Sequence, residues 1–305
     1  MRCWSRRAAP RFRRRMVVAE AAGPGFAPAK VNLALHVTGR REDGYHLLDS
    51  LVVFAGVGDV LTVTGADMLS LTVGGAFAAG VPVDGRNLVL RAAQMLADRH
   101  GIAARGRIDL CKNLPHAAGI GGGSSDAAAA LRLLSAVWGV VCPGPDDPAM
   151  LALGADVPVC LAAPRPQRMR GIGERVDPVP ALPPMALVLV NPRVEVPTAG
   201  VFARLARRDN SPLPAPRGGM DYRGFVNWLR GTRNDLQVPA EALAPGVTEA
   251  LALLGRQPKV DFAVMSGSGA TCVGLTADME AARLAAAAIG RRRPDWWVVA
   301  APILS

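Results

Sequence analysis

Residues 119–123 read Gly-Ile-Gly-Gly-Gly, and Ser124-Ser125-Asp126 and an alanine- and leucine-rich run to Trp138 follow at once. No other stretch restricts the fold as much. Glycine admits positive φ and lets backbone approach a ligand closely. A helix N-terminus presents unpaired N–H groups at the positive end of its dipole. A glycine loop abutting a strong helix start therefore reads as a phosphate cradle. A flexible hinge before an ordinary helix is the plain alternative, and only partners elsewhere in the chain separate the two.

The 305 residues suffice for two domains, each with its own core. Half the residues are hydrophobic and a fifth are charged, as in a globular protein. There is no apolar run of about 18 residues, so no transmembrane helix is expected. The net charge of +10 is concentrated at the start, where residues 1–15 hold seven arginines and no acid; without them it falls to +3. This head lacks the apolar core of a secretory signal. It is open to reading as a nucleic-acid arm or a transit peptide, but is read here as a tail or as sequence ahead of a start at Met16. Only three lysines occur, Lys30, Lys112 and Lys259, against 32 arginines. A retained lysine offers a compact point charge that arginine does not reproduce, which marks Lys30 and Lys112 for attention. The five cysteines, at 3, 111, 142, 160 and 272, show no metal or disulfide spacing. Reduced, buried thiols in a cytoplasmic protein are expected.

Along the chain, Ala27 to Thr38 alternates as a half-buried strand with Lys30 and Asn32 on the face away from the core. A polar turn at 39–44 leads to a second strand ending at Phe54, and Gly58-Asp59 reads as a turn into a third at 60–64. Residues 69–73 are a further strand, Asn87 to His100 a helix, and Arg107 to Cys111 a strand running into the glycine loop. The helix after it is expected over Ser124 to Trp138, with Ser-Ser-Asp as its cap and Asp126 as a helix-start residue. Prolines at 164–166 and 178–184 bracket a change of character, and the domain boundary is set at 164. Beyond it, strands at 186–190, 262–265, 271–275 and 296–300 alternate with helices at 240–254 and 277–289 and one starting at Pro197-Thr198, which is α+β or α/β.

Five short stretches carry chemistry: Pro28-Ala-Lys-Val-Asn32, Asp43-Gly-Tyr-His46, the glycine loop, Leu153-Gly-Ala-Asp-Val-Pro158 and Met265-Ser-Gly-Ser-Gly-Ala270. Taken singly, each has an ordinary structural reading. Lys30 is then an exposed strand lysine, Asp156 a turn residue, His46 a turn or core histidine, Phe202 a core aromatic and Ser266 to Gly269 a hairpin.

In combination and in this order the stretches closely resemble the GHMP kinase superfamily, from about Ala27 to the C-terminus. Within it they resemble the branch acting on a cytidine-diphosphate sugar alcohol. The resemblance implies an α+β, two-domain GHMP kinase fold. Residues 1–26 are a basic extension. Residues 27–164 form a ribosomal-protein-S5-like ATP-binding domain, and 165–305 a ferredoxin-like α/β-sandwich domain. It implies transfer of the γ-phosphoryl of ATP to the 2-hydroxyl of 4-diphosphocytidyl-2-C-methyl-D-erythritol, in the methylerythritol phosphate route to isoprenoid precursors.

Pro115, His116, Ala117, Ala118, Gly119, Ile120, Gly121, Gly122, Gly123, Ser124 and Ser125 would wrap the ATP phosphates. The loop lacks the Gly-Lys-Ser/Thr ending of a P-loop, so its lysine must come from elsewhere, and Lys30 matches that role. Asp156 matches the catalytic base, accepting the proton of the attacking hydroxyl beside Lys30. Asn32 and Thr198 would donate hydrogen bonds to the substrate, with Tyr45 and His46 on one side of the cytosine and Phe202 on the other.

Mg²⁺ is implied as a cofactor with ATP, although no acidic pair identifies its protein ligands; Ser125 is one candidate. No nucleic-acid or membrane partner is expected, and the chain is expected as monomer or homodimer. The rivals are another GHMP kinase, for homoserine, mevalonate or a sugar, and a catalytically dead nucleotide- or RNA-binding protein using the arginine-rich head.

Overall fold

A computed structural model describes Gly23 and residues 25–305. The arginine-rich head, Cys3 and the Met16 start lie outside these residues. Ten strands and nine helices are formed among those described.

The first sheet is built on a long antiparallel hairpin of β1 (Phe26–Arg40) and β2 (His46–Thr64), closed by the expected polar turn. β2 does not turn at Gly58-Asp59. It continues as a strand, with a register shift at residues 56–57 just before it, and its Gly58 is there for space. A Cβ on Gly58 would lie 2.8 Å from the Ala27 carbonyl carbon on the neighbouring strand. β2 also pairs with β4 (Gly106–Cys111), which pairs in parallel with β3 (Leu69–Gly74). On its other stretch β2 pairs with β5 (Gln167–Gly171), which pairs with β6 (Arg175–Pro178). The first sheet thus takes in residues past the expected boundary at 164. The alternation of β5 and β6 is masked in sequence by four arginines, at 165, 168, 170 and 175, and by the prolines around them. Arg168 explains one of these: it forks onto Asp49 of β2 at 2.6 and 2.8 Å.

Helices α1 (Leu88–Arg99) and α2 (Gly122–Trp138) cover one face of this sheet. α1 starts at an Asn87 cap whose side chain accepts the Val89 N–H. α2 is rich in alanine and leucine because almost its entire surface from Ser125 to Ser135 is buried. Short helices α3 (Pro148–Leu153) and α4 (Val157–Leu161) follow, with Gly154 to Asp156 between them.

The second sheet is four-stranded and antiparallel, in the order β10 (Trp297–Pro302), β7 (Ala186–Asn191), β9 (Cys272–Thr276), β8 (Phe262–Met265). One of its faces packs on α8 (Pro245–Gly255) and α9 (Met279–Arg292). Its other face, with Leu187, Leu189, Val273 and Leu275, shares a core with Ala29, Val31 and Leu33 of β1 and with Phe225 and Leu229 of α6 (Tyr222–Arg230). The single helix expected over 240–254 is two, α7 (Gln237–Leu243) and α8, because Pro245 ends one and starts the other. α5 (Thr198–Ala203) carries Phe202 as expected.

β1 is consequently not half-buried. All twelve residues from Phe26 to Val37 are shielded, Lys30 and Asn32 included at 3% and 1% exposure. Ala29, Val31 and Leu33 face the second sheet, Lys30 lies under the glycine loop, and Ala27 packs with α2. Alternation revealed two unlike faces but could not reveal that both are covered. Cys111, expected to be buried, is exposed, whereas Cys160 and Cys272 are buried.

The close approach of β1 and β2 makes a direct test. Gly58→Ala forces backbone apart and is expected to lower stability by about 1–3 kcal/mol. Gly85→Ala, where an added Cβ meets nothing within 4 Å, is the neutral reference. Urea unfolding of the two variants is the measurement.

Candidate active site

The glycine loop leaves β4, crosses β1 and enters α2. The helix starts two residues earlier than expected, at Gly122. Its cap is not Ser-Ser-Asp but Gly121 in the left-handed conformation at φ 61°, with no side-chain cap. The first-turn amides are therefore left for a ligand. Gly121 has to be glycine for space as well, since a Cβ there would sit 3.0 Å from Lys30 Cε and 3.6 Å from Asp156 Oδ2. The cradle, the lysine and the carboxylate thus converge on one point.

Lys30 reaches it from β1. Its backbone N–H donates to the Ile120 carbonyl, tying strand to loop. Its ammonium lies 3.0 Å from Asp156 Oδ2 and 2.9 Å from Asn32 Oδ1. Asp156 comes from the bend between α3 and α4, and its side chain is about a third exposed, open to a bound substrate. Asn32 is more engaged than a substrate donor needs to be: its Nδ2 donates to Ser50 Oγ at 2.7 Å, leaving one N–H free. Ser50 in turn donates to the Ala34 carbonyl. This chain of bonds fixes the Lys30 head.

The turn at Ser266 to Ala270 closes on the same loop from the second sheet. Ser266 Oγ accepts the Asn32 N–H at 3.0 Å and donates to the Gly119 carbonyl at 2.9 Å. Thr271 N–H donates to the Ala118 carbonyl. Gly119, at φ 72°, lies so close that a Cβ would be 2.7 Å from the Gly269 carbonyl oxygen. Asn234 holds the turn from below through the carbonyls of Met265 and Gly267. Pro115 and Ala118 are buried, while His116 and Ala117 lie exposed on the outer side, His116 Nε2 bonded to the Phe77 carbonyl.

Ser125 does not offer its hydroxyl to a metal: it is fully buried and donates to the Pro28 carbonyl at 2.7 Å. Ser124 is half-buried at the head of α2. Among the described residues no group of three His, Cys, Asp or Glu has the arrangement of a metal site.

Tyr45, His46 and Phe202 gather at the other end of β1, near Thr198. Tyr45 is exposed. The His46 and Phe202 rings stack on each other, with centroids 4.7 Å apart and planes at 24°. Expected to flank a base, they instead touch, closer than the roughly 7 Å that a ring inserted at van der Waals distance from both would need. Thr198 Oγ1 and Ser268 Oγ share a hydrogen bond at 2.9 Å, which ties this end to the turn at Ser266 to Ala270.

Three residues of the site were not singled out from sequence as a set. Lys112 is buried and bonded to both Asp59 and Asp126, the latter at 2.7 Å. Asp126 is in the second turn of α2 and buried, not a helix-start residue, because α2 begins at Gly122. The signal was available. An acid inside the apolar run of β2 and another inside an alanine-rich helix both need a buried partner, and Lys112 is one of three lysines. Burial pushes the Asp126 carboxyl up to about 8, a shift Lys112 opposes and Asp59 reinforces.

At His46 burial, followed by the charges of Arg40 and Arg208, holds the imidazole below the ordinary histidine range. It is therefore neutral at pH 7, and acidification alone charges it. A proton NMR titration of the four histidines is expected to show His46 with a midpoint below 6.5. A midpoint above that value would contradict this environment.

Residues 87–162 match the family model "GHMP kinases N terminal domain", and 221–295 match "GHMP kinases C terminal". A 4-diphosphocytidyl-2-C-methyl-D-erythritol kinase of a Jannaschia species is 56% identical over 281 residues, 92% of this chain and 97% of the relative. The kinase of the same name from Dinoroseobacter shibae is 53% identical, over 90% of this chain and 92% of the relative. A crystal structure of a 4-(cytidine 5'-diphospho)-2C-methyl-D-erythritol kinase superposes with a TM-score of 0.72 at 34% identity, covering 92% of this chain and 98% of that one.

Proposed function

The chain belongs to the GHMP kinases, in the family of 4-diphosphocytidyl-2-C-methyl-D-erythritol kinases, and we propose that it works at the junction of the glycine loop, Lys30 and Asp156. It is an ATP-dependent small-molecule kinase that phosphorylates the 2-hydroxyl of 4-diphosphocytidyl-2-C-methyl-D-erythritol, in the methylerythritol phosphate route to isoprenoid precursors. The convergence of Lys30 Nζ and Asp156 Oδ2, 3.0 Å apart at the uncapped end of α2, is the observation that carries this assignment of the site.

When bound, ATP supplies the phosphoryl group to be transferred. The left-handed Gly121 and the free amides after it suit its phosphates. Asp156 accepts the proton of the substrate 2-hydroxyl as that oxygen bonds to the γ-phosphorus and the bond to the ADP oxygen breaks. Lys30 stays with the transferring group, its head steered by Asn32, and offsets the charge that develops there. Mg²⁺ fits as an ion carried by the nucleotide phosphates and water rather than by a protein cage, and no protein ligand is assigned to it.

The cytidine end of the substrate is assigned to Tyr45, His46, Phe202 and Thr198. Its base displaces the His46–Phe202 contact or stacks on its outer side, and the remaining Asn32 N–H donates toward the sugar alcohol. The reading carries with it a cytoplasmic location and no nucleic-acid partner. The domain boundary is proposed within the proline-rich stretch at 178–184, after β6, rather than at 164.

ADP release by the purified protein, given ATP, Mg²⁺ and the cytidine-diphosphate substrate, tests the activity; release no higher than without acceptor would sink it. Asp156→Asn is expected to keep nucleotide affinity and lose about 10²–10⁴-fold in kcat. Retention of full kcat would remove Asp156 from the role of base.

A further inference from the structure

Beneath the phosphate cradle lies a cluster that the transfer chemistry does not use. Asp59 on β2, Lys112 just after β4 and Asp126 on α2 are each at most 4% exposed. Lys112 Nζ donates to Asp59 Oδ2 and to Asp126 Oδ2. Asp59 Oδ1 accepts the N–H groups of Asn113 and Leu114. The start of the glycine loop, its end and the sheet below are thereby tied together. One atom is left over: Asp126 Oδ1 is buried and has no hydrogen-bond partner. The cluster sits directly under the head of α2, since a Cβ on Gly122 would be 3.6 Å from Lys112 Nζ and 3.8 Å from Asp59 Oδ2.

Two carboxylates and one ammonium sum to one negative charge when all are ionised. That charge would lie below a seat for a polyanion. The elements packed around Asp126 do not cancel it. β1 brings Lys30, already paired with Asp156. α4 brings the buried thiol of Cys160. Arg132, further along α2, gives its guanidinium to the carbonyls of Cys160 and Phe26. α1 turns only the apolar Val89, Ala92, Ala93, Leu96 and Ala97 inward. A buried carboxylate with an unpartnered oxygen is less costly with a proton on it.

We propose that Asp59, Lys112 and Asp126 are positioning residues for ATP, holding the glycine loop in its phosphate-binding shape and binding the nucleotide best when a proton on Asp126 leaves the cluster neutral. The proposal rests on the seating of the ATP phosphates on the glycine loop. Asp126 titrates late for a carboxyl, near 8, so mild alkali removes its proton. Linkage then requires nucleotide binding to draw a proton back onto the cluster.

The test is titration calorimetry of the intact protein with a non-hydrolysable ATP analogue and Mg²⁺, at about pH 7 and about pH 9. Buffers of different ionisation enthalpy report proton exchange. The wild type is expected to bind up to about tenfold more weakly at the higher pH and to take up close to one proton per nucleotide there. Asp126→Asn keeps the shape and an oxygen for Lys112 but has no charge to lose. Its affinity is expected to stay flat across the range, without proton uptake. Asp126→Asn weakening with pH as the wild type does would overturn the proposal, and so would absence of proton uptake by the wild type, which needs no variant. Gly121→Val checks the premise separately: if it leaves nucleotide affinity intact, the phosphates do not sit on the loop, and both the cradle and this proposal fall.

Discussion

An ammonium buried on β1, a strand paired only with β2, sets the terms for everything around it. Lys30 is 3% exposed, and a charge so placed is tolerated only when it is paired and hydrogen-bonded. Asp156 and Asn32 supply those bonds, and each has its own support. Asn32 is held by Ser50 and, through its backbone, by Ser266, while Asp156 stands at the bend between two short helices. Without Asp156 the buried Lys30 would lose its counter-ion, whereas Asp156, about a third exposed, would still meet water without Lys30. The buried ammonium is why residues from 30 to 266 meet within a few ångströms.

The same strand explains the architecture. β1 has no solvent face, because the second sheet packs on one side and the glycine loop with α2 on the other. A strand buried on both faces is usual where helices cover a parallel sheet. Here an antiparallel hairpin reaches that condition because a second sheet lies against it. The glycine-loop end and the His46–Phe202 end are thereby joined by one strand pair, with Lys30 toward one end and His46 paired to Arg40 at the other.

Much of this was legible in the sequence. Short stretches with fixed spacing around Lys30, the glycine loop and Asp156 identified the class of chemistry, and hydrophobic periodicity placed most strands and helices. What escaped depends on distant residues. The burial of β1 depends on strands 150 residues away, and the run of β2 through Gly58 depends on the backbone of Ala27. Local propensity reads a glycine followed by an aspartate as a turn. Only the neighbouring strand shows that the glycine makes room and that Asp59 points inward to Lys112. Similarly, Ser-Ser-Asp has the composition of a helix cap, yet the helix begins earlier, on a left-handed glycine, which puts Asp126 inside.

The contact of Gly119 with Gly269, backbone on backbone with Ser266 bridging, bears on how such a chain can change. Neither turn has side-chain volume with which to absorb a shift in the other. Exchanging one half of the protein for that of a distant relative would bring together two turns shaped on different partners, even where each half folded properly. Recombination within the gene is thus constrained at a junction that hydropathy and domain length would both nominate as a seam.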